Sequence, residues 1–143
     1  MITRLEALHR QTFIHRDQKP DNYCIGTGDR RSTVFLIDFG LAARFVCHGR
    51  HVPYGERRAI TGTVRYCSVT AHLGVAQSRR DDLEALGYIL VYFARGSLPW
   101  QGLRAKSKKE KYEAILAKKL ETPLSALCRG LPAEIAEFLN YAR

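Results

Sequence analysis

Several things are missing from this sequence, and each absence narrows its class. No apolar run approaches the roughly 20 residues needed to cross a bilayer, and no charged-then-apolar leader opens the chain. Internal repeats, linkers and low-complexity tracts are absent as well. Four cysteines, Cys24, Cys47, Cys67 and Cys128, are widely and unevenly spaced with no C-x-x-C pair. That argues against a disulfide framework and for reduced thiols, with cytosol or nucleus as the default address. Acidic residues are scarce: 14 against 23 Lys and Arg, for a formal charge of +9. Such a field favours anionic partners, whether phosphorylated or acidic peptides, nucleic acid or anionic lipid, and charge alone does not choose among them. What remains, 143 residues at 45% hydrophobic and 26% charged, is the composition of one compact globular domain. A chain of this length buries about two thirds of its unfolded surface.

The densest chemistry lies in His15-Arg16-Asp17-Gln18-Lys19-Pro20-Asp21-Asn22. Asp17 can orient a hydroxyl and accept its proton, Lys19 can neutralise a phosphoryl oxygen, and Asn22 offers a carbonyl oxygen to a hard cation. Pro20 stiffens the segment between them. Two β-prone runs follow, Tyr23-Cys24-Ile25 and Val34-Phe35-Leu36-Ile37, joined by a polar connection over residues 26–32. Within it, Gly26-Thr27-Gly28 superficially resembles a phosphate cradle, but between two apolar strands it reads as a hairpin turn. The second strand leads directly into Asp38-Phe39-Gly40. The octet and the D-F-G triplet together resemble the catalytic loop and metal-binding turn of eukaryotic protein kinases, whose signatures run H-R-D-x-x-x-x-N and D-F-G.

Around this centre the periodicity predicts mainly helix. Residues 1–10 place Ile2, Leu5 and Leu8 at helical spacing. Residues 41–58 read as an irregular basic loop carrying Arg44, Arg50, Arg57 and Arg58, and Cys47, His48 and His51 within it read as loop residues rather than zinc ligands. Residues 81–95, apolar almost all round and closed by Gly96, predict a buried central helix. Residues 103–120 predict a strongly basic helix whose apolar face is Tyr112, Ile115 and Leu116, with most of its lysines solvated. Thr122-Pro123 ends it, and two short helices over 124–129 and 132–143 complete the chain.

The resemblance narrows with Thr61-Gly62-Thr63-Val64-Arg65-Tyr66-Cys67-Ser68, His72-Leu73-Gly74, Gln77-Ser78-Arg79-Arg80-Asp81-Asp82-Leu83-Glu84 and Gly96-Ser97-Leu98-Pro99-Trp100-Gln101-Gly102-Leu103. These strings are similar to those of the casein kinase I family, from about Phe13 to the last residue. The likeness implies a fold that is mainly α with a small β-hairpin, the large lobe of the kinase fold. Within the 143 residues there is no G-x-G-x-x-G loop and no V-A-I-K-like strand, so the small ATP-gripping lobe is expected to be absent and the chain to be a partial kinase domain, truncated at both ends.

By resemblance, Asp17 and Lys19 are catalytic, Asn22 and Asp38 hold Mg²⁺ against ATP, and Asp82 supports the catalytic loop from a buried position. Arg65, Gly102 and Lys111 would form an anion site for acidic or already phosphorylated serine/threonine substrates. Ser68-Val69-Thr70 stands where the family has serine-isoleucine-asparagine, and the stretch between Gly40 and Pro53 is a few residues shorter than usual. Two functions follow as expectations: a serine/threonine kinase fragment inactive alone, or a catalytically silent module that binds phosphopeptides or acidic partners. A nucleic-acid-binding domain ranks third, since no recognised signature is present.

Overall fold

The computed structural model describes residues 1–56 and 59–143. Its first helix, α1 (Ile2–Arg10), buries Leu5 completely against Leu36 and Leu86 and leaves Ile2 49% exposed. It has no side-chain cap. Thr12, at φ 66°, turns the chain into β1 (Phe13–Ile14). The predicted hairpin is present: β2 (Tyr23–Ile25) and β3 (Val34–Leu36) are antiparallel with Tyr23 opposite Leu36 and Ile25 opposite Val34. The Gly26 amide donates to Thr33 O at 2.9 Å and closes the loop, so the Gly26-Thr27-Gly28 stretch is part of the hairpin connection.

The described residues of 41–58 differ from the irregular loop expected of them. They contain β4 (Ala43–Arg44), paired with β1, and a small hairpin of β5 (Val46–Cys47) and β6 (Arg50–His51). His48 (φ 51°) and Gly49 (φ 72°) make its two-residue turn, the left-handed geometry that matches strand twist. Phe45, only 4% exposed, anchors this segment, and its amide donates to Thr12 O at 3.0 Å. Cys47, His48 and His51 lie on the exposed hairpin, whereas Arg57 and Arg58 fall outside the described residues.

The segment then passes through α2 (Val69–His72) into α3 (Arg79–Arg95), the longest helix. Ser78 and Asp81 form a reciprocal capping box at its start, and Gly96 at φ 75° closes it in the left-handed conformation that glycine adopts without strain. Leu86, Tyr88, Ile89 and Val91 are fully buried. The apolar character does not run all the way round in space, because Phe93 in the last turn is 56% exposed.

Beyond α3 the chain forms α4 (Lys108–Glu121), α5 (Leu124–Leu127) and α6 (Ala133–Ala142). The basic helix starts at Lys108 rather than near residue 103, because Ser107 caps it by accepting from the Glu110 amide. The main core gathers Tyr88, Ile89, Trp100, Ile115, Leu127 and Leu139, with Tyr88 and Trp100 packed edge to face at 4.9 Å. One lysine of α4 departs from a solvated face. Lys119 is 1% exposed, donating to Val64 O (2.9 Å) and Cys67 O (2.6 Å), with its ammonium 5.5 Å from the ring centres of both Tyr88 and Trp100. Burial lowers its pKa, and the carbonyls and aromatic faces are what make a cation tolerable there.

Candidate active site

The site is held from below by Asp82, on the first turn of α3. Its carboxylate is 1% exposed and accepts from the amides of His15 (2.8 Å) and Arg16 (2.9 Å), and His9 Nε2 of α1 lies 2.9 Å away. A buried carboxylate is stable only with such partners, and here they are the backbone of the loop that carries Asp17. Arg16 itself is in a left-handed conformation, φ 68°, and its Nε donates to Leu41 O at 2.7 Å.

His15 is fully buried. Its Nε2 donates to Ile37 O (3.0 Å), which places the proton on that nitrogen, and Nδ1 accepts from the Asp17 amide at 3.3 Å. One imidazole therefore ties the loop to the strand that leads into Asp38. The Phe39 ring packs on it, with centroids 5.4 Å apart.

Asp17 is 7% exposed and has both carboxylate oxygens engaged. The Thr63 amide (2.8 Å) and hydroxyl (2.7 Å) donate to Oδ1, while Lys19 Nζ stands 3.0 Å from Oδ2. Burial is the largest single influence and would raise its pKa. The Thr63 hydroxyl, the Lys19 ammonium and the Thr63 amide together outweigh it and hold the carboxyl below the ordinary aspartate value. Lys19 is shifted upward, first by its bond to Asp17 and then by the fields of Asp17, Asp38 and Asp21. The pair thus stays charged at neutral pH.

Gly62 makes the Thr63 contact possible. At φ 92°, a Cβ on it would lie 2.1 Å from Arg16 O, so only glycine lets these two backbones approach.

Asn22 closes a 3-10 turn over Pro20–Asn22, and its Nδ2 donates to Asp17 O at 2.9 Å. That leaves the side-chain carbonyl oxygen without a hydrogen bond among the described residues. The Ile37 amide donates to Asn22 O at 3.0 Å, which fixes the start of the Asp38 turn beside Asn22. Asp38 has φ 62°, is exposed, and accepts only a long 3.3 Å bond from the Gly40 amide. One free amide oxygen and one exposed carboxylate on adjoining backbone form a hard-oxygen donor set that suits Mg²⁺. Lys19, within the field of Asp38, links that pair to Asp17.

The residues expected to bind an anion are set apart from this cluster. Arg65 is exposed, and its carbonyl accepts from Trp100 Nε1 at 2.7 Å, which ties it to the turn containing Gly102 (φ 71°). Lys111 is exposed on the first turn of α4. Among the described residues neither cation is part of an ion pair.

At Ser68-Val69-Thr70, two hydroxyls converge on Asp81: Ser68 Oγ at 2.5 Å and Thr70 Oγ1 at 2.6 Å donate to Oδ1, while Ser68 also accepts from the Ala71 amide. Thr70 therefore supplies a side-chain bond at the position where asparagine was expected.

Thr63, Gly62 and His15 carry much of this geometry, and no separate role for any of them is legible in the sequence. Their signal was present only as adjacency within the Thr61-Gly62-Thr63 string and the octet. A base, a cation and a hard-oxygen pair on one buried aspartate platform are the parts phosphoryl transfer needs. A family model described as protein kinase domain matches residues 1–140, and on that match together with this geometry the chain belongs to the protein kinase family.

Proposed function

We propose that the chain carries the phosphoacceptor half of a serine/threonine kinase of casein kinase I type. The observation that supports this best is the clamp on Asp17, whose two oxygens are held by Thr63 and Lys19 on a loop fastened to Asp82. In this reading Asp17 orients the acceptor hydroxyl and takes its proton, and Lys19 balances charge on the transferred group. Asn22 and Asp38 would hold Mg²⁺, which when bound neutralises the phosphates of ATP. Acid–base help of this kind contributes about 10²–10⁴-fold, and the remainder comes from positioning and electrostatics. Arg65, the Gly102 backbone and Lys111 would receive a phosphate or carboxylate of a primed or acidic substrate, since charge-assisted donors favour such groups.

The competing reading is a silent module that binds phosphorylated or acidic partners. It draws on the lack of a glycine-rich loop within the 143 residues and on exposed apolar side chains beside Asp38, Ile37 at 41% and Phe39 at 50%. Incubating the purified chain with Mg²⁺-ATP and a phosphoserine-primed peptide separates the two. Transfer to the peptide that disappears in Asp17→Asn supports a kinase acting alone. Phosphopeptide binding with no nucleotide-dependent rise in Tm and no transfer supports the silent module and sinks activity in this chain.

A further inference from the structure

The buried lysine of α4 has a reactive neighbour as well as acceptors for its protons. Lys119 Nζ lies 3.6 Å from Cys67 Sγ, in addition to its bonds with Val64 O and Cys67 O. Both side chains are interior, the cysteine 6% and the lysine 1% exposed. Among the described residues the polar contacts of the sulfur are Val64 O and Lys119 Nζ, each at 3.6 Å. The lysine nitrogen is therefore the nucleophile held against it, and Cys67 is in no disulfide.

Burial lowers the pKa of Lys119, which brings the uncharged amine into play. Burial also raises the pKa of the Cys67 thiol, while the lysine beside it acts the other way. Such a thiol reacts more slowly than an exposed one, but what it forms is trapped beside an amine. Two spaces reach the pair. Cys67 lines a cavity of about 10 Å³ with Thr63, Ser68 and Gln77, room for one small polar molecule. A cleft of about 230 Å³ runs along Lys119 and Leu120 of α4 and Val69 and Thr70 of α2.

We propose that Cys67 and Lys119 are a redox modification site, at which hydrogen peroxide drives formation of a covalent bond between the cysteine sulfur and the lysine nitrogen. The sulfur attacks one peroxide oxygen, the O–O bond breaks, and the departing hydroxide leaves with the thiol proton as water. A sulfenic acid remains. The uncharged amine then attacks that sulfur, gives up one proton, and expels the sulfenic hydroxyl as a second water. One thiol, one amine and one peroxide thus become one sulfenamide and two waters, with sulfur oxidised and peroxide reduced by two electrons each. Added thiol reverses the bond by attack at sulfur, which returns the amine. The cross-link would tie α4 to the segment that clamps Asp17, because the Cys67 amide donates to Thr63 O at 3.0 Å. Its formation does not depend on phosphoryl transfer.

The test is peptide mapping by mass spectrometry after hydrogen peroxide treatment of the folded chain. Cys24→Ser and Cys47→Ser remove the two exposed thiols. The expected product joins the Cys67 and Lys119 peptides at a mass two hydrogen atoms below their sum. It should lack tryptic cleavage after Lys119 and separate on addition of dithiothreitol. Lys119→Met should stop the reaction at a sulfenic acid that a cyclic dione traps on Cys67. If that variant fails to fold, the map of the chain with Lys119 intact still decides. Cys67 recovered as an unmodified thiol would overturn the proposal, as would a dione-trapped sulfenic acid with Lys119 present. A disulfide to Cys128 would be equally fatal. So would the same mass loss with cleavage after Lys119 retained, since that product is a ring closed on a backbone nitrogen.

Discussion

Asp17 shows how little of a carboxylate's charge state is its own. Its charge is maintained by a threonine 46 residues away and a lysine two residues away, and its position by an aspartate on another helix. His72 shows the reverse, a titratable group the fold holds uncharged. Burial first, then the nearby Lys119 charge, push its pKa down from 6.5 to about 4. Below about pH 6.5 the unfolded chain therefore binds a proton that the folded chain refuses. Stability from this residue is complete above that value and falls as pH drops toward 4, by up to about 3 kcal/mol. Urea unfolding across that range should show the slope, and His72→Phe should flatten it. An unchanged slope in the variant would assign the acid sensitivity to other groups.

Among the elements, α3 packs against both α1 and α6, most extensively against α6. A Cβ on Gly87 would lie 2.4 Å from Leu139 Cδ2 and 2.7 Å from Leu139 Cγ, and Leu139 is fully buried. Alanine would add about 1 kcal/mol of helix propensity, but overpacking of this kind costs about 1–3 kcal/mol. Gly87→Ala should therefore be net destabilising by about 1 kcal/mol, read as a lower denaturation midpoint with unchanged slope. Adding Leu139→Val should restore part of the loss, because neighbouring sites couple. Additive losses would mean that α6 simply moves away.

α3 was legible from its run of apolar residues and its terminal Gly96, and so was the β2–β3 hairpin from two β-prone runs. The strands of residues 41–58 were not. Short two-residue strands leave almost no periodicity, and they form here because β1 offers a partner and Phe45 a burial site.

For the molecule as a whole, the apolar surface is uneven. Ile25 (71%), Ile37 (41%), Phe39 (50%) and Leu41 (41%) are exposed along the β2–β3 hairpin and the turn after it. Exposed apolar surface of this kind favours association. Light scattering should therefore detect concentration-dependent oligomers, and Ile37→Ser with Phe39→Ser should shift the chain toward monomer. A monomer at every concentration would show that this edge is tolerated by water.

The sequence by itself determined the chemistry: the octet, the D-F-G turn and the helix that supports them are local strings, and side-chain type alone says what each can donate, accept or hold. Only the tertiary structure decided which groups share a charge environment. Thr63 on Asp17, Lys119 beneath Cys67 and His72 beside α4 depend on contacts across 40 to 52 residues and on packing of whole helices. Burial is a property of the assembled chain, so it can bury a lysine of a basic helix and leave the lysines around it in water.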